Sequence, residues 1–236
     1  MRRRDVEKLS RQQVIQLAAE QGDVSGYDLS GVALRDLELI AVRFRNCNLR
    51  GANLSSANLS MSDFEDADLS VSNMSSSNFI GANFRNAHIE KSDLTFSSFT
   101  GADFTRAHLG GADLTNSKIS CAQFELADLA EANLQMTEAV LIKATGAVLR
   151  KMKAYGSSMI GADFSGADMR EAMLHGTDLS GAILSSADLR EASLIETILI
   201  AADLTNADLR GALLRGLDTK RARLSGAKTD QNLQEG

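Results

Sequence analysis

The chain has 236 residues, a formal net charge of −6, no Trp, no Pro and two Tyr, with Ala, Leu, Ser, Asp and Gly crowding the rest. That composition is unlike an ordinary mixed core, and it turns the search toward internal repetition. Cys47 and Cys121 form no CxxC pair, so neither a disulfide framework nor a zinc knuckle is indicated, and a reducing compartment is expected.

Arg2, Arg3 and Arg4 resemble the start of a signal peptide, but Asp5, Glu7 and Lys8 stand where its apolar stretch belongs. With no transmembrane run either, a cytoplasmic protein without membrane contact is expected. Ser10 and Gln13 make a capping box, Leu9 can staple onto Val14, and Gly22 suits the residue after a helix end. A helix over about 11–21 follows, within an N-terminal segment 1–22. Its job is to cover the first coil of whatever comes next, against bulky Tyr27, Val32, Leu37 and Val42.

From 23 onward, residues ending in 4 or 9 are apolar almost without break, from Leu29 and Leu34 to Leu134. Residues ending in 2 or 7 are small, as in Ala52, Ala57, Ser62 and Ala67. A period of five fits neither helix nor strand, so each unit turns a corner and sends both positions inward. Phe44, Phe64, Phe84, Phe104, Phe124 and Phe164 recur at twenty or a multiple of it, which sets four units to a coil. At one strand spacing per coil, about ten coils make a rod on the order of 50 Å long.

Ala52-Asn53-Leu54-Ser55-Ser56 and Ala207-Asp208-Leu209-Arg210-Gly211 resemble the Ala-Asp/Asn-Leu-X-X signature of the pentapeptide repeat family, over about 23–228. The resemblance implies an all-β solenoid, a right-handed quadrilateral β-helix; the spacing alone does not supply the hand. The leading functional reading is a non-catalytic interaction or scaffold module that presents rigid faces to a macromolecule. The alternative is a DNA mimic that binds DNA gyrase, as in the quinolone-resistance branch.

The pattern weakens over about 135–158, where Ala139, Ala144 and Ala154 take the large inward position and Thr137, Ile142 and Met152 the small one. Either the coil continues with swapped packing or a loop is extruded. Phe164, Ala162 and Ala167 return in phase, which favours a continuous, distorted coil. Leu217 and Thr219 disturb the last coil. The polar tail 229–236 lacks the apolar surface through which gyrase-binding relatives pair, so a monomer or weak dimer is expected.

No nucleophile with a base, phosphate loop or carboxylate cleft appears, so neither catalysis nor a cofactor is expected. His88 and His108, twenty apart beside Asp68 and Asp128, form at most a weak metal or pH-sensing pair. Fifteen of nineteen Asp end in 3 or 8, where local turn bonds explain them, so the acidity belongs mainly to the scaffold. Direct nucleic-acid binding is not expected. Arg150, Arg170, Arg190 and Arg210 recur every twenty residues beside Asp168, Asp188 and Asp208, as a compensated ladder or an anion-binding stripe. Outward apolar Ile195, Ile198, Ile200, Met173, Ile183 and Leu213, with Val140 and Ile160 on the Ile200 column, form the candidate patch for an unknown protein partner or for self-association.

Overall fold

The computed structural model describes residues 7–230; Arg2–Arg4 and the tail from 231 on lie outside them. Every parallel bridge joins residue n to n+20, from Lys8↔Asp28 to Asp208↔Lys228. Four pentapeptides therefore close each coil of a right-handed quadrilateral β-helix.

The five positions of each unit use their backbone N–H groups differently. With faces one to four counted from the inward residues Phe44, Leu49, Leu54 and Leu59, a unit of face one shows the pattern: Ala82 N bonds Phe79 O at 3.0 Å, Asn83 N bonds Ser62 O at 2.9 Å, Phe84 N bonds Asp103 O at 2.7 Å and Asn86 N bonds Thr105 O at 3.1 Å. The remaining amide, on Arg85, donates to the Asn83 side chain at 3.1 Å. In a unit whose outward slot is Asp or Asn no donor is spare, which leaves little place for a residue without an N–H. The last residue of each unit turns the corner in the left-handed region, as at Gly101 (φ 67) and Cys121 (φ 61).

The interior is filled. Phe44, Phe64, Phe84, Phe104 and Phe124 stack along face one with ring centroids 4.7–5.0 Å apart. A second aromatic column, Phe79 over Phe99 at 5.0 Å on face four, meets the first edge-on, as in Phe64–Phe79 at 5.9 Å. Hydroxyls in the small column donate to the coil below at several levels, as from Ser62 to Leu39 O and from Ser92 to Leu69 O, both at 2.8 Å. Most buried hydroxyls of the column are satisfied in this way, while Ser72 Oγ and Ser117 Oγ make no bond to the described residues.

The coil runs unbroken through 135–158, with Glu138↔Ser158 and Lys143↔Asp163 in the same register as their neighbours. No loop leaves it. Ile142 and Met152 fill the space that Ala144 and Ala154 vacate, and all four are buried. Large and small have exchanged places within one unit, which conserves interior volume.

Helix α1 spans Arg11–Gln21, with Ser10 and Gln13 capping each other and Gly22 (φ 62) ending it. It buries Val14 and packs Leu17 and Ala18 against the first coil, where Tyr27 and Leu37 meet it. The ladder starts before the helix: Leu9 N bonds Asp28 O, and Asp28 N bonds Glu7 O, each at 3.0 Å. Arg11 further ties α1 to the carbonyls of Ala33 and Arg35. At the other end Leu214, Leu217 and Leu224 are only partly buried, and Asp230 accepts a bond from Gly211 N at 2.7 Å.

Candidate interaction surfaces

The outward Asp column of face two leads into the Arg column, and the two interlock. Arg170 grips Asp168 with two bonds of 2.8 Å, while Arg150 reaches the same carboxylate from the coil below at 2.6 Å. Arg190 grips Asp188 at 2.8 and 2.7 Å, and Arg210 grips Asp208 at 2.9 and 2.6 Å. Bonds from Arg170, then from Arg150, hold the Asp168 carboxyl down at about 2; Arg210 holds Asp208 at about 2 as well. Lys151 meets Glu171 at 3.6 Å on the next column. The geometry is that of a charge-assisted ladder whose cations are already engaged.

All fifteen Asp of the outward slot accept the backbone N–H two residues on, as in Asp103 with Thr105 N at 2.9 Å and Asp128 with Ala130 N at 3.0 Å. Asn does the same, Asn53 receiving Ser55 N at 3.0 Å. These carboxylates close turns, and the amide of Asn serves equally.

His88 and His108 stack with centroids 4.7 Å apart, and His88 Nδ1 lies 3.0 Å from Glu90. Among the described residues no three His, Cys, Asp or Glu side chains are placed to hold a metal ion. The surface depressions are open and shallow; one on face two is lined by Arg50, Asp68, Val71, His88, Glu90 and Lys91. No helix among the described residues is long and apolar enough to cross a membrane.

The apolar candidates form a belt around the rod instead of one patch. Met173 and Leu213 lie on face three, Ile195 on the corner after it, Ile198 on face four, Ile200 on the following corner and Ile183 beyond it on face one. Ile183 and Leu213 are exposed, while Met173, Ile195, Ile198 and Ile200 are half-buried. Tyr155 Oη donates to Met173 Sδ at 2.7 Å and covers that side chain in part.

Sequence reasoning passed over the most exposed apolar groups, which stand on corners: Phe96, Met61, Met136, Leu126 and Leu141, 57–65 % exposed. All occupy the slot ending in 1 or 6, where positive φ favours Gly. A bulky apolar residue in a glycine slot was the signal that marked them.

A run of four-unit coils with a filled interior defines a solenoid. Models of the pentapeptide repeat region match residues 25–94, and of pentapeptide repeats residues 107–144, 145–185 and 184–216. The chain belongs to the pentapeptide repeat family. Among solved structures it is similar to HetL, a pentapeptide repeat protein involved in heterocyst differentiation regulation from the cyanobacterium Nostoc sp. strain PCC 7120. That likeness has a TM-score of 0.90 and 26% identity, covering 96% of this chain and 100% of that one. Full-length QnrB1, a plasmid-mediated fluoroquinolone resistance protein, aligns at 17% identity over 84% of this chain and 94% of its own, with a TM-score of 0.43. Rfr23 from the cyanobacterium Cyanothece 51142 aligns at 18% identity over 94% and 97%, with a TM-score of 0.24. No curated protein matches the sequence.

Proposed function

We propose that this protein is a non-catalytic interaction module of the cytoplasm, presenting rigid β-helix faces to a protein partner. The observation that carries the reading is the set of large apolar side chains held out on a backbone that has no freedom to withdraw them. Phe96, Leu126 and Met136 stand more than half exposed on coils locked above and below. The likeness to HetL, whose role lies in regulating differentiation, supports a regulatory partner over a substrate.

The gyrase-directed DNA mimic rests on the net charge of −6. It fits less well, because an Arg column runs beside the densest carboxylates and neutralises them. A supercoiling assay separates the two: a mimic inhibits gyrase or shields it from a quinolone, and an interaction module of another pathway does neither.

The direct test is capture of the partner from the host, followed by reconstitution from purified components. Replacing Ile195 and Ile198 together by Ser should leave the circular dichroism spectrum unchanged and weaken the complex at least tenfold. Unchanged affinity would remove the apolar belt as the docking surface.

A further inference from the structure

The corner between face four and face one differs from the other three. From Ile40–Ala41 to Ile200–Ala201 it passes through nine successive coils without a charged residue. The uncharged run of the corner between faces three and four is shorter, seven coils from Ser55 to Gly176, and the corner between faces two and three is charged in seven of the nine coils from Arg50 to Arg210. Ile40, Met61, Ile80, Leu141 and Ile160 are all exposed along this edge. At one strand spacing per coil the edge is about 40 Å long.

The order of residues along it reads alike in both directions. The first column is Ile40, Ser60, Ile80, Thr100, Ser120, Val140, Ile160, Ser180, Ile200. Reversed about Ser120, Ile meets Ile, Ser meets Ser, Ile meets Ile, and Thr100 meets its isostere Val140. The second column is Ala41, Met61, Gly81, Gly101, Cys121, Leu141, Gly161, Gly181, Ala201. Reversed about Cys121, Met61 meets Gly181 and Leu141 meets Gly101, large against absent.

The structure distinguishes among those glycines. Gly81 and Gly161 are covered by their own chain: a Cβ built on them would lie 2.7 Å from Met61 Sδ and 2.8 Å from Leu141 Cδ2. Gly101 and Gly181 have nothing within 4 Å. By position the two open glycines stand opposite Met61 and Leu141, but those side chains lie one coil on, over Gly81 and Gly161, so an antiparallel copy would bring Met61 of one chain against Leu141 of the other.

We propose that this corner is a self-association seam, joining a second copy of the chain side by side and antiparallel about a two-fold axis through Ser120 and Cys121. An isologous interface requires a self-complementary surface, residue i meeting j while j meets i, and the first column meets that requirement by setting Ile on Ile and Ser on Ser. The flanking charges of face one agree. About the same axis Asp103 faces Lys143, Arg43 faces Asp203 and Asp23 faces Arg223, each pair occurring twice, and no like charges meet in that column. On the face-four flank Lys118 meets its own copy at the axis, and Glu138 lies one coil along in the same column to receive it. A parallel pair, with its axis along the rod, would set face one against face four and Met61 against Ser60, losing the pairing of opposite charges on face one.

A seam of this length buries on the order of 500 Å² per copy, about 1,000 Å² in all, at the lower bound for specific interfaces. The pair is accordingly weak, forming at roughly micromolar concentration or above. The inference deepens the interaction-module reading by assigning one edge to a second copy and leaving the other faces to the partner.

The test uses the full chain at about 100 µM in sedimentation equilibrium. The wild type should approach twice its 25.3 kDa mass, and Leu141→Arg, a change at an exposed corner, should remain monomeric with an unchanged circular dichroism spectrum. Orientation is read by cross-linking in a Cys121→Ser background with a short thiol-specific reagent. Ser60→Cys and Ser180→Cys chains should cross-link to each other when mixed and not to themselves. A monomeric wild type, or Ser60→Cys chains that link only to themselves, overturns the proposal. Partner capture by Leu141→Arg is measured alongside. Intact capture with no pairing in the wild type defeats the seam alone, whereas pairing without any capture defeats the interaction-module reading alone.

Discussion

Replacing Phe84 by Ala removes a ring that touches four others. Phe84 stacks on Phe64 at 5.0 Å and on Phe104 at 4.8 Å, and meets Phe79 at 5.5 Å and Phe99 at 5.9 Å. Phe164 provides the control, because it occupies the same column, equally buried, between Ala144 and Leu184 with no ring neighbour among the described residues. Each Phe→Ala change costs about 3–5 kcal/mol for lost transfer energy and the cavity left behind. Aromatic pairs add about 0.5–1.5 kcal/mol apiece, so four contacts at the low end set Phe84→Ala about 2 kcal/mol beyond Phe164→Ala. For a chain of this size that difference is roughly 4–8 °C in Tm. Thermal and urea unfolding followed by circular dichroism at 218 nm, a wavelength for β structure, would measure both variants. Equal losses, or a larger loss at Phe164, would refute the idea that the aromatic zipper adds to simple burial.

Three further outcomes follow from single sites. Asp168 and Asp208, held at about 2, lie below the unfolded carboxylate value of about 3.9, so their stabilisation is whole above about pH 4 and is lost as pH falls toward 2. For Asp168 this is worth about 2 kcal/mol. Tm should be flat down to about pH 4.5 and drop below it, and Arg170→Gln with Arg210→Gln should flatten the drop; an unchanged acid limb would contradict the ladder's role. Val71 is β-branched at φ 59, a conformation that Asn tolerates far better, so Val71→Asn should raise stability by about 1 kcal/mol. A lowered Tm would show that Val71 makes a contact worth more than its backbone strain. Burial pushes the Cys47 thiol up to about 11, while Cys121 is exposed. A thiol reagent at pH 8 should therefore titrate one cysteine in the native protein and two in denaturant, and rapid reaction of both would mean that the early coils open readily.

The frame of the molecule is plain in its sequence because one physical constraint repeats at every coil. Leu114 and Ala112 must point inward, so their spacing betrays the fold, and Phe124 and Phe164 carry the register across the weak stretch between them. Phe79 and Phe99 obey the same spacing, yet a column of two is easily lost beside a column of six. Ile142 with Ala144 looks like a failure of pattern until the two are summed as one volume. The role of Asp103 was legible, since an outward Asp two residues before a free amide has an evident partner in Thr105 N. The surface is another matter. That Met61 lies over Gly81 while Gly101 stays open depends on side-chain direction at a left-handed corner, which the period of five does not encode. Likewise Ile183 and Met173 are near in sequence but two faces apart, so proximity along the chain misleads about shared surface.

The central claim is that outward carboxylates build the turns while recognition uses the uncharged and apolar surface. It is tested most directly by changing Asp63, Asp68, Asp93, Asp103, Asp113 and Asp128 together to Asn, which brings the formal charge from −6 to zero. The measurement is the affinity of this variant for the reconstituted partner, with circular dichroism confirming the coil. Because the amide of Asn53 closes the same turn, the account predicts an intact fold and an affinity within about threefold of the wild type. A folded variant that binds a hundredfold more weakly would make the acidic columns the docking surface and contradict the account.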